Sequence, residues 1–313
     1  MRSRLIWLAV ILCLCCIGYM TIGARGPLSF VIPFRGTKLA ALILVGFAIS
    51  TSTVLFQTVS QNRILTPSIM GFDALYVMIL TGAVFFLGGM AFVGLSDQII
   101  FAVTASAMTL AALALFSTLL RSAHSNLMRM ILTGIVLGAL FRSLTDFMQR
   151  MIDPNEFSVI QGASYARFAQ IETDLLMIAT VVCCVGVGLA WRMRFALDVM
   201  TLGREAAVSL GVDLRRTQMK ALVLTAVLVA VSTALVGPVA FLGLLVVSLA
   251  RLVTPIEKHG VLFVSAGLIS AITLIGGQTI LERLFKLSTP LSVVIDLLGG
   301  ALFLILLLKG HRR

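Results

Sequence analysis

Charged residues inside long apolar runs are the first place to look for chemistry in this sequence. Asp73 follows Gly71 in one such run, Asp296 stands in another, and Arg142 and Asp146 share a third. A charge at membrane depth is costly and is a functional suspect by default. Arg142 and Asp146 are four residues apart, so they can also satisfy each other on one helix face. Asp73 and Asp296 have no such neighbour and are the acids an ion-coupled carrier would need. Catalysis is poorly served. No HExxH, GxSxG or Walker-type glycine loop occurs. The histidines, His124, His259 and His311, fall in predicted loops or the tail. Cys13, Cys15, Cys16, Cys183 and Cys184 lie in apolar stretches without CxxC or zinc spacing, so no metal site is expected.

The elements that must position these charges are membrane helices. Of the 313 residues, 59% are hydrophobic and 12% charged, and the mean hydropathy is +1.09. A soluble domain is about 25% charged. Soluble enzymes, nucleic-acid binders and disordered chains are excluded on that ground. Apolar runs predict ten segments, near 5–23, 38–57, 67–90, 98–120, 127–147, 174–191, 218–236, 238–256, 261–280 and 290–308. The fold class is an all-α polytopic membrane protein. The longest polar connection runs from Arg150 to Asp174. With the N-terminus inside, sixteen of the 24 Lys and Arg fall on the inner side, which predicts two cytoplasmic termini. The net charge of +11 is thereby read as topology.

Two stretches depart from plain spans. Between Lys220 and Arg251 no residue is charged. That length is about 45 Å as helix, too long for one span and too short for two. Gly237-Pro238 lies in its middle, which predicts a full helix, a sharp turn and a short returning helix, with a kinked long helix as the alternative. Broken backbone at membrane depth belongs beside protein or a water-filled cavity. The second stretch runs from Met200 to Val212. Leu202, Ala206 and Leu210 recur every four residues, with Gly203 near the start and Gly211 as a stop. This short amphipathic helix suits lipid headgroups or a groove on a partner equally well.

These residues carry a resemblance. Gln57, Asn62, Pro67 and Gly71 look like the "Q…NPLA.P..LG" stretch of the permease subunits of bacterial ABC importers for iron–siderophore complexes, haem and cobalamin. Leu202-Gly203 through Leu210-Gly211-Val212 is similar to that family's "LG…A..LGV" helix. Gly237-Pro238 through Phe241, Gly243 and Leu244, with Ala250-Arg251, is similar to "GPIGFVGL…AR". The sequence departs from the pattern at Arg63, Val247-Ser248, Ser292 and Asp296. The resemblance spans essentially the whole chain and implies one transmembrane permease domain, residues 1–313, in the bacterial inner membrane.

The resemblance also implies roles. The helix at about 200–213, with Leu202, Gly203, Glu205, Ala206, Leu210 and Gly211, is expected to couple to a cytoplasmic ATPase. Gln57, Asn62, Pro67, Gly71, Gly237, Pro238, Phe241 and Gly243 are expected to line or gate the path. Arg35 and Arg283 are expected to dock a soluble or lipid-anchored binding protein. The expected partners are a second permease, identical or related, and two ATPase subunits. No catalytic residue and no bound cofactor is expected on this chain, since ATP is used by the ATPase. The implied cargo is a ferric siderophore, with a catecholate such as enterobactin as the example. The rival reading is an ion-coupled secondary transporter resting on Asp73 and Asp296.

Overall fold

A computed structural model of the chain describes residues 2–23, 28–120, 127–166, 168, 171–255, 258–284 and 290–310. His124, His311 and the basic residues Arg25, Arg121, Arg167, Lys286, Arg312 and Arg313 lie outside these residues. The described residues form helices α1 (Arg2–Thr21), α2 (Leu28–Ser60), α3 (Phe72–Leu87), α4 (Gly89–Val93), α5 (Asp97–Leu120), α6 (Leu127–Met151) and α7 (Pro154–Ala163). They continue as α8 (Thr173–Arg192), α9 (Arg194–Met200), α10 (Arg204–Ser209), α11 (Leu214–Val236), α12 (Leu242–Val253), α13 (His259–Thr279) and α14 (Leu291–Gly310). Seven helices, α1, α2, α5, α6, α8, α11 and α13, are long and apolar enough to cross a membrane. Three shorter apolar helices, α3, α12 and α14, complete the ten anticipated segments.

The bundle is built around α2, which packs against α8, α11, α12 and α13. In the most apolar window of α2, 72% of residues are buried, against 11% for α1, so α2 is central and α1 peripheral. Ser50 to Thr53 of α2 are buried hydroxyl residues. Ser52 and Thr53 both donate to the Ile49 carbonyl at 2.8 Å, which satisfies them inside their own helix. Small, internally satisfied side chains let neighbouring helices approach without exposing polar groups to lipid.

Several boundaries differ from the sequence reading. α2 starts at Leu28, ten residues before the segment expected from 38, because Arg35 is buried within the helix instead of ending it. The polar connection between Arg150 and Asp174 contains α7. Its start is capped by Asp153, which accepts from the Asn155 amide, and Pro154 occupies the first turn. Glu156 of α7 accepts from the Gly89 amide at 2.7 Å and ties α7 to α4.

The break after α11 is a full helix, a turn and a short return, not a kink. Gly237 takes φ +94° and its amide bonds back to the Thr233 carbonyl, ending α11. Residues 237–241 are not helical, and α12 then runs for 12 residues. A second break was not anticipated. The chain leaves α2 at Ser60, makes a 3₁₀ turn at Pro67–Met70, and enters α3 through Gly71 at φ +93°. Gly71 meets α6 at Gly138 so closely that a Cβ on Gly71 would lie 2.6 Å from the Gly138 Cα. Gly134 receives Met70 in the same way. Gly134 and Gly138 form a G-x-x-x-G pattern, the usual device for close membrane-helix contact.

Replacing Gly138 by Leu should push α6 away from the Met70–Gly71 turn. A cost of about 1–3 kcal/mol is expected from overpacking. It should appear as a lower thermal midpoint of the detergent-purified protein, and Gly36→Leu, where a Cβ meets nothing within 4 Å, should leave that midpoint unmoved.

Candidate translocation path and coupling site

The two broken turns meet inside the bundle. Pro67, Ser68 and Asp73 from the first, and Val239, Ala240 and Gly243 from the second, line one inner space with Thr53 of α2 and Thr233 of α11. Gly243 lies against Thr53 with no room for a Cβ. Alongside lies a larger open cavity of about 560 Å³. Its wall holds Asp73, Arg142, Thr145, Asp146, Gln149 and Phe241. The polar residues of α6 thus form a row along the helix, at 142, 145, 146 and 149, facing this cavity.

Each acid singled out in the sequence has a place. Asp73 stands in the first turn of α3, where a carboxylate suits the helix dipole, and it is hydrogen-bonded by Ser68. Asp296 of α14 accepts from the Phe241 amide at 3.1 Å and is also bonded by the Ala240 amide. The start of α12 has free N–H groups that its own backbone cannot satisfy. Asp296 supplies the missing acceptor from another helix. Gly299, one turn along α14, packs on Phe241 where a Cβ would collide. Both acids required by an ion-coupled carrier are therefore engaged in holding the broken turns.

The path candidates divide into two groups. Pro67, Gly71, Phe241 and Gly243 gather at the two turns. Gly237 and Pro238 lead into the second turn, with Gly237 against Tyr165 and Ala166. Gln57 and Asn62 are elsewhere, at the end of α2. Gln57 is buried, donates to the Arg63 carbonyl at 2.7 Å and accepts from Arg251 Nη2 at 3.1 Å. Asn62 accepts from the Ile64 amide at 3.0 Å. These two close the turn after α2 and tie it to the end of α12.

The amphipathic helix is shorter than expected. α10 covers only Arg204–Ser209, because Gly203 and Gly211 both have positive φ and bracket it. Ala207 is its buried anchor. Glu205 is exposed and Ala206 half-buried. Leu202, Val208 and Leu210 are each at least 60% exposed, so the apolar side chains face away from the protein. Nearby, the Arg194 guanidinium stacks on Trp191 and Phe195, 4.7 and 4.5 Å from the ring centres. Aromatic and basic groups of this kind mark a membrane–water interface.

At the opposite end the two docking arginines differ. Arg35 is 5% exposed, and its guanidinium donates to the carbonyls of Tyr19, Met20, Ile22 and Gly23 at 2.8–3.0 Å. It caps the end of α1, where carbonyls have no helical partner, and little of it reaches the surface. Arg283 lies in a π-turn, Ile280–Leu284, and is partly exposed beside Glu282 at 3.8 Å. Sequence reasoning also missed His259. It is not in a loop but opens α13, and it is buried.

The described residues hold ten apolar helices, two of them starting at broken turns over a polar-walled cavity, the architecture of a polytopic membrane protein with an internal path. The FecCD transport family model matches residues 4–309, and the chain belongs to that family. It is 44% identical over 313 residues to the petrobactin import system permease protein YclO of Bacillus subtilis (strain 168), covering 100% of this chain and 99% of that protein. It is 31% identical over 279 residues to the petrobactin import system permease protein FatC of Bacillus anthracis, covering 89% of this chain and 79% of that one. The fold is that of a metal-chelate type ABC transporter solved in an inward-facing conformation, at a TM-score of 0.84 and 22% identity, over 98% of this chain and 99% of that one.

Replacing Arg35 by Met leaves four carbonyls without their donor. A loss of about 2–3 kcal/mol is expected, since bonds from charged groups are the strong ones. A thermal melt of the purified protein should show it, with Arg283→Met moving the midpoint far less.

Proposed function

We propose that this chain is the permease subunit of an ATP-driven importer that brings a ferric siderophore across the bacterial cytoplasmic membrane. The observation that carries the reading is the joint presence of two features. Broken turns over a polar cavity stand inside the bundle, and an exposed apolar patch at Leu202, Val208 and Leu210 stands at its basic end. The basic end, with Arg63, Arg192, Arg194, Arg251 and Lys258, is the cytoplasmic one. There α10 fits a groove on an ATPase subunit, one per permease. A second permease, identical or related, closes the open side of the cavity lined by α3, α6 and the two turns. A soluble or lipid-anchored binding protein docks at the opposite end, where Arg283 remains available and Arg35 does not. No cofactor is held by this chain, and ATP is used by the partner.

Transport then needs no chemistry from the permease. ATP binds the ATPase pair better in one arrangement of the complex than in the other, and that difference shifts the path between outward and inward access. Petrobactin replaces enterobactin as the first cargo to try, since the two relatives above carry it in their names.

The test uses the assembled importer in cells lacking any other route for the cargo. Leu210→Asp should remove co-purifying ATPase and reduce ferric petrobactin uptake by tenfold or more, in keeping with loss of an apolar anchor at an interface. Uptake and ATPase binding that both survive would overturn the coupling assignment. Uptake of other ferric siderophores but not of petrobactin would overturn the cargo.

A further inference from the structure

Asp198 and His259 have no part in the path or in the exposed patch, yet they make a close polar contact at the basic end. Asp198 lies in α9, the seven-residue helix that leads to α10. One of its carboxylate oxygens accepts from the His259 backbone N–H at 2.7 Å and bonds the ring Nδ1 at 2.7 Å. The other ring nitrogen, Nε2, is 2.8 Å from Thr58 Oγ1 on α2. His259 is only 2% exposed. Three elements, α9, α13 and α2, are thus joined through one imidazole. The joint opens onto a cavity of about 360 Å³ lined by Gln57, Arg251, Leu202 and Gly203.

The chemistry makes this joint firm. A carboxylate only accepts, so Nδ1 carries a proton. The carboxylate also caps the start of α13, where N–H groups are free and the dipole favours negative charge. Thr58 can donate to Nε2. Its hydroxyl is also 2.8 Å from the Val54 carbonyl, so it can turn there and accept from a protonated ring. The joint keeps its partners in either state of the imidazole. Removing one member leaves buried polar atoms unmatched, which costs more than the bond itself gains.

Its position gives it a use. α10 packs on α9 and α11. Leu197 and Met200 bury the apolar side of α9, and Asp198 is its hydrogen-bonded tie to α13. From Thr58, α2 runs to Thr53, which touches Gly243 at the broken turn. We propose that Asp198, His259 and Thr58 form the latch that carries movement of the ATPase-docking segment into α2 and α13. They are positioning residues that work through other groups. The inference rests on the reading of α10 as the ATPase-docking element.

The importer, with permease, ATPase and binding protein, is reconstituted in liposomes and supplied with ferric petrobactin. Cargo moved per ATP hydrolysed is measured for Asp198→Ala, His259→Ala and their double variant, alongside the ATPase bound per permease. Each single variant should keep its ATPase and still hydrolyse ATP, while cargo moved per ATP falls about tenfold, the scale of one buried charge-assisted bond. The double variant should be no worse than either single, as expected for one shared interaction. Asp198→Asn, which keeps the acceptor oxygen, should recover most of the ratio. If the alanine variants fail to assemble, Thr58→Val tests the same latch from α2 with little change of shape, and the same fall is expected. An unchanged ratio in the variants that assemble, losses that multiply in the double variant, or an unchanged ratio in Thr58→Val would overturn the latch. Leu210→Asp is read separately. If it leaves the ATPase bound, the docking reading fails, whatever the ratio shows for Asp198.

Discussion

Backbone that leaves the helical state inside a membrane must find partners for its own N–H and C=O groups, because lipid offers none. Much else in this structure follows from how two such breaks are satisfied. The Gly237–Phe241 turn is held by Asp296 from α14, which accepts from the Ala240 and Phe241 amides just ahead of α12. The Pro67–Gly71 turn is closed by its own 3₁₀ bonds and by the glycine contact with α6. Both turns converge on one inner space, and the polar row of α6 stands beside it. A membrane protein retains such costly features where something must pass.

The basic end shows the complementary design. Its polar groups are bonded to each other across elements: Gln57 with Arg251, Asp198 with His259, Arg4 with the Val253 carbonyl. These bonds bring together the ends of α2, α9, α12, α13 and α1. Beside that frame, α10 is a short helix between two glycines, with Val208 and the flanking Leu202 and Leu210 outward. The frame is thus firm beneath a projecting apolar patch. The Arg35 cap does the same for α1 at the far end, with four carbonyls on one guanidinium.

Much of this was legible in the sequence, for reasons that can be named. Ten apolar runs gave the helix plan because hydrocarbon thickness fixes helix length. The uncharged stretch around Gly237-Pro238 announced one break because its length fitted neither one span nor two. The other break was hidden, since Pro67 and Gly71 fell at the edge of an ordinary apolar run. Its signal was in α6, where Gly134 and Gly138 have the spacing of a close contact. Arg35 misled because a charge near a segment start usually marks the interface, whereas here the helix continues and buries it. The role of Asp296 could not be read locally, because its partner lies 55 residues away. His259 is a similar case, with its acid 61 residues away.

In the proposed function, the two turns line a path that opens to one side of the membrane at a time. The most direct measurement is the reaction of a cysteine placed at Ala240 with a membrane-impermeant maleimide. It would be made in the assembled importer, with the five native cysteines replaced. Vesicles of each orientation are compared with and without ATP under conditions that block hydrolysis. Labelling is expected from one side without nucleotide and from the other side, or from neither, with ATP bound. Labelling from the same side at the same rate in both states would contradict it.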